Sequence, residues 1–177
     1  MAKSTTIEIP TVETARTTLR AHQPGDFEAY ARMWAEPEVT RFIGGQARSR
    51  TESWARFLRH AGMWRMLGFG FWAIEEKASG RFVGEAGFHD LKREMTPPLE
   101  GMAEAGWALV PEAHGRGLAT EVVSAVLAWG DEVLPHLPKV CIIEPEHLAS
   151  IGVAKKCGFR NPVEAQFAGG TVLLFER

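Results

Sequence analysis

A glycine-containing segment near residue 115 carries the clearest signal for chemistry in this sequence. It reads PEAHGRGLATE over residues 111–121 and lies between a strand-like run and a helical pattern. Glycines such as Gly115 and Gly117 allow backbone amides to approach a ligand closely, and the free N–H groups and dipole of the following helix favour an anion. The segment therefore predicts a phosphate-binding loop.

The spacing within this loop argues against two common nucleotide-binding motifs. It lacks the G-x-x-x-x-G-K-[ST] of a P-loop, and no third glycine follows at the spacing of G-x-G-x-x-G. Nucleoside triphosphatase and dinucleotide-binding functions are therefore disfavoured.

The elements before the loop are predicted from hydrophobic periodicity and from helix-start signals. A strand is expected from Thr17 to Ala21, followed by a helix that begins near Pro24 and is stopped by Pro37. The S-x-x-E capping box at residues 49–52 predicts a second helix over residues 50–65. These helices and strands account for most aromatic residues of the first half as core, namely Trp34, Trp54, Trp64, Phe69 and Trp72.

The remaining pattern predicts a hairpin and a β-α-β unit around the loop. Residues 69–76 and 82–88 should pair as a hairpin, and Glu104 to Val110 should form the strand before the loop. Helical periodicity then runs from Leu118 until Pro135, and Val140 to Ile143 has the composition of a buried strand. A last helix should end at Gly158, and a glycine turn should lead into a closing strand, residues 171–175.

Composition restricts the class of protein. The chain has 177 residues, 45% of them hydrophobic and 24% charged, with a formal charge of −2. These values predict one domain over residues 1–177, with residues 1–13 as a flexible extension, and they disfavour a nucleic-acid partner. No run is long and apolar enough to span a membrane, so a cytoplasmic protein is expected. Cys141 and Cys157 lack metal-ligand spacing and are expected to pack in the core, so no metal site is predicted.

The loop and its surroundings resemble the GNAT acetyltransferase superfamily. The coenzyme A loop of that family has Arg or Gln, two residues, Gly, one residue, then Gly or Ala, and here these positions are His114, Gly117 and Ala119. Further matches are residues 68–74, residues 82–84 and residues 149–159, and the resemblance extends from about Thr14 onward. The branch that contains the ribosomal-protein N-terminal acetyltransferases is the most similar, because it often has an aromatic residue or His at the first position.

The resemblance implies an α/β (α+β) fold and acetyl-CoA as the co-substrate. The expected fold is a mixed, mostly antiparallel, twisted sheet of about seven strands flanked by about four helices. The pantetheine arm would enter between the strand before the loop and the strand at Val140, and backbone amides near Leu109 and Val110 would polarise the thioester carbonyl. Arg116 would supply the positive charge that His114 does not guarantee. The residues implied to contact the coenzyme are Leu109, Val110, His114, Gly115, Arg116, Gly117, Leu118, Ala119, Thr120, His147 and Ser150.

The resemblance also implies a base for the amine. Several relatives have a carboxylate on the strand before the loop, and Glu104 occupies that strand here. A carboxylate is a plausible proton relay because an α-amine has a reference pKa of only about 7.7 to 8.0. The alternative for Glu104 is a solvent-facing glutamate. His89 and Asp90 are the second candidate pair, and their alternative is the capping of a turn.

On the last helix the sequence departs from the family. Many relatives have Asn at the position of His147 and Tyr at the position of Ala154, where the Tyr protonates the departing thiolate. Ser150 remains as a hydroxyl that could reach the sulfur, and its alternative is a helix-start residue that satisfies backbone groups.

Two functions follow from these residues. The first is an N-acetyltransferase that moves the acetyl group to a primary amine, either a protein N-terminus or a small molecule, by direct attack of the amine. The second is a catalytically silent acyl-CoA-binding module, suggested by the replaced Arg, Asn and Tyr. The sequence names no acceptor and leaves a homodimer open.

Overall fold

The computed structural model describes residues 8–177 and contains one mixed sheet of nine strands with five α-helices. The strands are β1 Val12–Glu13, β2 Thr17–Arg20, β3 Phe71–Glu76, β4 Arg81–His89, β5 Met95–Thr96, β6 Ala103–Leu109, β7 Lys139–Ile143, β8 Arg160–Phe167 and β9 Gly170–Glu176. The helices are α1 Phe27–Ala35, α2 Pro37–Thr40, α3 Arg50–Leu67, α4 Leu118–Val133 and α5 Leu148–Lys156. The strand order is β1-β2-β3-β4-β6-β7-β9-β8-β5, and only β6 and β7 run parallel. The predicted fold class is confirmed.

Local sequence signals set several element boundaries. The Ser49 hydroxyl accepts the N–H of Glu52 at 3.3 Å, and the Glu52 carboxylate accepts the N–H of Ser49 at 2.7 Å, so the predicted capping box begins α3. Gly68, with a φ of 74°, ends that helix in the left-handed conformation. Pro37 ends α1 as predicted, and it also begins the short helix α2.

The two faces of the sheet are covered by different elements. Cross-strand neighbours share a face, so Glu85 and His89 of β4 lie on the same face as Glu104 and Ala108 of β6. We call this the front face, and α1 and α3 pack on it through a cluster that includes Ala108. The helices α4 and α5 pack on the opposite face in the main core. The segment of residues 90–102 also lies on the front face, because Met95, Leu99 and Met102 pack with Val140, the neighbour of Glu104.

The two parallel strands separate soon after they begin. Only Ala103 with Lys139 and Glu104 with Val140 are paired, after which β6 continues beside β4 and β7 continues beside β9. The N–H of Ala103 donates to the Pro138 carbonyl on the β7 side at 2.9 Å. Because backbone groups alternate in direction along a strand, the N–H groups of the later odd-numbered residues, 105, 107 and 109, face the gap.

The sheet has more strands than predicted, because β1, β5 and β8 were not predicted. Of the flexible extension expected over residues 1–13, residues 1–7 lie outside the described residues. Its last residues instead form β1, and the Trp72 indole donates to the Pro10 carbonyl at 2.7 Å. These contacts hold the segment against the sheet.

The predicted core and its cysteines are largely as expected. Trp34, Trp64, Phe69 and Trp72 are buried, whereas Trp54 is 42% exposed on α3. Cys141 and Cys157 are both buried and free. Within residues 8–177, no helix combines the length and the hydropathy needed to cross a membrane.

Candidate active site

The predicted phosphate loop is preformed between β6 and α4. After a single 3₁₀ turn at residues 111–113, the chain passes through Gly115 and Gly117, whose φ angles are 69° and 74°. This left-handed backbone favours glycine. Gly117 is the N-cap of α4 and no side chain caps the helix, so the first N–H groups of α4 are available to a ligand. The loop can therefore bind an anion through its backbone.

The positively charged side chain of Arg116 forms an ion pair on the β3 side of the sheet. Its guanidinium lies 2.6 Å from the carboxylate of Glu76 at the end of β3, and β3 is on the side of β6 away from β7. Arg16 is also close to the loop, but its guanidinium pairs with Glu121 at 2.7 Å. In this arrangement the Arg116 guanidinium pairs with Glu76, and its contact with a bound phosphate stays a prediction.

Three predicted residues gather at the carboxyl ends of β6 and β7. The Nε2 of His114 lies 2.9 Å from the Leu109 carbonyl, and the Nε2 of His147 lies 3.3 Å from the Ser150 hydroxyl. The His147 ring also stacks on Phe42, with centroids 4.5 Å apart. Burial, together with the charge of His114, lowers the pKa of His147. A neutral imidazole and a hydroxyl therefore lie next to each other beside the gap.

Ser150 does not act as a helix cap in this structure. It lies in the first turn of α5, which has no side-chain cap, and its hydroxyl contacts the His147 side chain. Ala154, where many relatives have Tyr, is completely buried in the main core. With Ala at this position, Ser150 is the one side-chain hydroxyl on α5.

The opposite end of β6 holds a buried carboxylate. The Glu104 side chain is only 6% exposed, and its two oxygens lie 3.0 Å from the Nε2 of His89 and 2.7 Å from the Nε of Arg93. Burial alone would raise the pKa of Glu104, but His89 and Arg93 outweigh that effect and lower it. Glu104 is therefore ionised at neutral pH. The alternative of a solvent-facing glutamate is wrong.

The second candidate pair consists of His89 and Asp90, and the structure places the two residues differently. His89 is buried, directly opposite Glu104 in the β4–β6 ladder, and its Nε2 has no partner in hydrogen-bond geometry despite the nearby carboxylate. Asp90 accepts the backbone N–H of Lys92 at 3.2 Å and caps a turn. His89 therefore belongs to the candidate site, whereas Asp90 fits the turn.

A cavity of about 190 Å³ opens beside Glu104 and His89. It lies between the ends of β4 and β6 and the segment of residues 90–102, on the front face. The pairing of β6 with β7 ends at Glu104, and the phosphate loop follows the other end of β6. An anion-binding loop and a buried carboxylate with an imidazole thus lie at the two ends of one strand.

Two backbone amides, those of Leu109 and Val110, were predicted to contact the coenzyme, and only one of them faces the β6–β7 gap. The Val110 N–H donates to the Val83 carbonyl of β4 at 3.0 Å, so the role expected for it is corrected. The Leu109 N–H points in the opposite direction, toward the gap. The strand alternation therefore makes Leu109 the donor that a ligand in the gap can use.

A second polar cluster on the front face was not predicted. His22, His60 and Glu85 bring three ligand atoms within 4.8 Å of one another. The two imidazole rings are stacked 4.6 Å apart and only 8° from parallel, so their in-plane lone pairs do not converge on one ion. Arg56 lies 3.2 Å from the Glu85 carboxylate and supplies the positive charge that a metal would bring. The cluster is better described as a buried ion pair than as a metal site.

Comparisons with known proteins show which family has this architecture. The acetyltransferase (GNAT) domain family matches residues 16–160. An uncharacterized N-acetyltransferase of Bacillus subtilis, YoaA, is 28% identical over 86% of this chain and 84% of its own length. A solved GNAT-family acetyltransferase from Bordetella pertussis, described as putative, is 30% identical, with a TM-score of 0.82 over 96% of this chain and 99% of that one.

The ribosomal-protein acetyltransferases share the fold at lower identity. The ribosomal-protein-S5-alanine acetyltransferase of Vibrio fischeri is 15% identical, with a TM-score of 0.74 over 96% of each chain. The glycine loop, the separated parallel strands and the match over most of the chain lead to one assignment. This chain is an acetyltransferase that belongs to the GNAT family.

Proposed function

We propose that the protein transfers an acetyl group from acetyl-CoA to a primary amine. The observation that carries this proposal is the separation of β6 from β7, which leaves β6 unpaired on that side between the Glu104–His89 pair at its start and a preformed anion loop at its end. Acetyl-CoA supplies an activated acetyl thioester. The chain supplies a cradle for its phosphates, an amide-lined gap for its arm and a buried polar end for the acceptor.

The gap and the loop fit a coenzyme A arm. The free N–H groups of the first turn of α4 would hold the diphosphate, beginning at Leu118, Ala119 and Thr120. The Leu109 N–H, which faces the gap, would bind the arm or polarise the thioester carbonyl. Because Arg116 pairs with Glu76, diphosphate binding would depend chiefly on backbone donors.

At the other end, the arrangement supports a proton relay for the amine. Glu104 is ionised and its carboxylate lies 3.0 Å from His89 Nε2, so its negative charge is next to the imidazole. Among the described residues, that Nε2 has no partner in hydrogen-bond geometry, which leaves it able to accept the amine proton. The amine would then attack the thioester carbonyl directly. Placement of amine against thioester provides most of the rate in this scheme.

At the start of α5, Ser150 would assist the departing thiolate. Its hydroxyl can donate to the sulfur while His147 Nε2, 3.3 Å away, donates to or accepts from the same oxygen. A thiol with a pKa near the 8.5 of free cysteine leaves readily at neutral pH, so a weak donor suffices.

The proposal is tested by release of free thiol from acetyl-CoA with a panel of primary amines and peptide N-termini. We expect Glu104→Gln and His89→Gln to lower kcat about ten- to a thousandfold with little change in acetyl-CoA affinity. Glu132→Gln, an exposed carboxylate on α4, is the matched control and should have the wild-type rate. Binding of acetyl-CoA without transfer to any amine would instead support the silent acyl-CoA-binding module.

A further inference from the structure

We infer that the acceptor is a small, unbranched aliphatic amine that carries a second positive charge, bound in the cavity beside Glu104. This inference rests on the proposed acetyl transfer and concerns the chemistry of its second substrate. Three features of the cavity carry it: its buried polar floor, its apolar walls and its acidic rim.

The floor of the cavity has polar groups that require a partner. Glu104 and His89 both line it, and their side chains are only 6% and 8% exposed. The Nε2 of His89 is buried and has no partner in hydrogen-bond geometry. Buried polar atoms are nearly always satisfied, by protein, water or ligand, so this floor is suited to the nitrogen of an amine.

The walls and the volume limit what can follow that nitrogen. Leu91, Pro98, Leu99 and Met102 contribute apolar side chains to the lining. The cavity has a volume of about 190 Å³, and an amine head followed by a few methylene groups fits this space. Its apolar walls favour methylene groups next to the nitrogen over the polar amide groups of a peptide backbone.

The rim of the cavity carries an excess of negative charge. Among the residues that line it, Asp90 pairs with Lys92 at 2.6 Å and Glu104 pairs with Arg93 at 2.7 Å. Glu94 and Glu100 line the same cavity and have no ion pair within residues 8–177. A second cationic group on the acceptor, separated from the reacting amine by an apolar spacer, would lie near these two carboxylates.

The test compares a linear monoamine, the diamine of equal chain length and a dipeptide amide with neutral side chains as acceptors. We expect the diamine to have the highest kcat/KM. Glu94→Gln and Glu100→Gln should each raise the KM for the diamine about two- to fivefold, with kcat unchanged and the monoamine unaffected. Added salt should reduce the same preference, because the rim is exposed to solvent. Glu132→Gln is again the control.

The outcomes of this test separate the inference from the proposed function. Equal kcat/KM for monoamine and diamine, a preference for the dipeptide amide, or rim variants that affect both amines alike would overturn the inference while leaving acetyl transfer intact. A protein that binds acetyl-CoA and acetylates none of the three would overturn the proposed function itself.

Discussion

Several side chains at the candidate site differ from those that the family usually has there, and other residues stand in the same places. The family's Asn and Tyr are absent, and His147 with Ser150 lies at the start of α5, where we propose that the thiolate departs. The family's basic residue at the start of the loop is His114, whose Nε2 contacts the Leu109 carbonyl. At this scale the site depends on backbone donors and on a few neutral side chains.

Replacement of Ser150 tests the role of the hydroxyl. Ser150→Ala should leave an active enzyme that is slowed about five- to fiftyfold, because one hydrogen bond contributes about 1 kcal/mol, or somewhat more toward a charged sulfur. The effect should appear in kcat measured by thiol release. The affinity for acetyl-CoA should change little.

The matched control is Ser124→Ala, because the Ser124 hydroxyl contacts only the Cys157 sulfur at 3.5 Å among the described residues. It should have the wild-type rate. Complete loss of activity in Ser150→Ala, with intact folding and coenzyme binding, would mean that the hydroxyl is an essential acid. An unchanged rate would remove Ser150 from the mechanism.

At the scale of elements, the site is made by the junction of a strand with a helix. The glycine loop turns the chain from β6 into α4 and leaves the first amides of the helix without partners. Two glycines in this turn have left-handed backbone, and neither has a close contact that fills the space beside it. The turn is therefore open on the side where a phosphate would bind.

Substitution of the second glycine should abolish coenzyme binding. Gly117→Val puts a branched side chain on a φ of 74°, which both strains the turn and blocks the approach to the amides. Wild-type protein should be stabilised by acetyl-CoA by about 2.7 kcal/mol at a hundredfold excess over Kd, and this increase in Tm should disappear in the variant.

A second glycine variant separates the effect of backbone strain from the effect of losing the phosphate-binding site. Gly169, in the turn between β8 and β9, has a φ of 80° and no atom within 4 Å of an added Cβ. Gly169→Val should lower the Tm of the free protein by a similar amount but keep the acetyl-CoA-dependent increase. If Gly117→Val also keeps that increase, the loop assignment is incorrect.

How well each element could be predicted depended on how local its determinants are. The capping box of α3 and the glycine turn before α4 are short motifs, and both were predicted. The strand β8 was missed because Asn161 has a φ of 49°, Pro162 follows it and most of its residues are exposed. That strand forms by pairing with β9 through an irregular register, which no local pattern indicates.

The site was predicted unevenly for the same reason. Its loop and Glu104 could be found along the chain, but the contact of Arg116 with Glu76 joins residues 40 positions apart. The contact of Glu104 with Arg93 depends on the path of the segment between β4 and β6. Such long-range pairs determine which charges are free, and a single sequence does not contain them in readable form.

At the scale of the whole molecule, a buried ion pair joins the sheet to the helix α3. Glu85 of β4 is completely buried and contacts Arg56 and His60 of α3. Burial alone would raise the pKa of Glu85, but the charges of His60 and Arg56 lower it well below its usual value. Burial lowers the pKa of His60 despite the nearby carboxylate. The packing of α3 on the front face therefore depends on pH.

Neutralisation of Glu85 should destabilise the fold. Glu85→Gln leaves the partly buried Arg56 without its counter-charge and should lower the free energy of unfolding by about 3 kcal/mol at pH 7. Urea unfolding followed by circular dichroism measures this change. The exposed pair of Glu28 with Arg50 provides the control, and Glu28→Gln should have no measurable effect.

The loss of stability caused by Glu85→Gln should depend on pH in a defined direction. A carboxylate whose folded pKa is depressed stabilises the protein above its unfolded pKa, near 4.5, and this contribution is lost as pH falls through the lower folded value. The difference between wild type and Glu85→Gln should therefore shrink below pH 4.5. A difference that is constant from pH 7 to pH 3 would contradict the ion-pair account.

The separation of β6 from β7 also creates a strand edge inside the protein. Exposed edges are hazards because any extended chain can pair with them, and proteins usually cover or charge them. Here β6 beyond Glu104 pairs with β4 on one side and with no strand on the other. A slender chain with amide groups could add itself there as a temporary strand. On this view the coenzyme arm completes the sheet during each turnover, and hydrogen exchange at residues 105, 107 and 109 would slow when it binds.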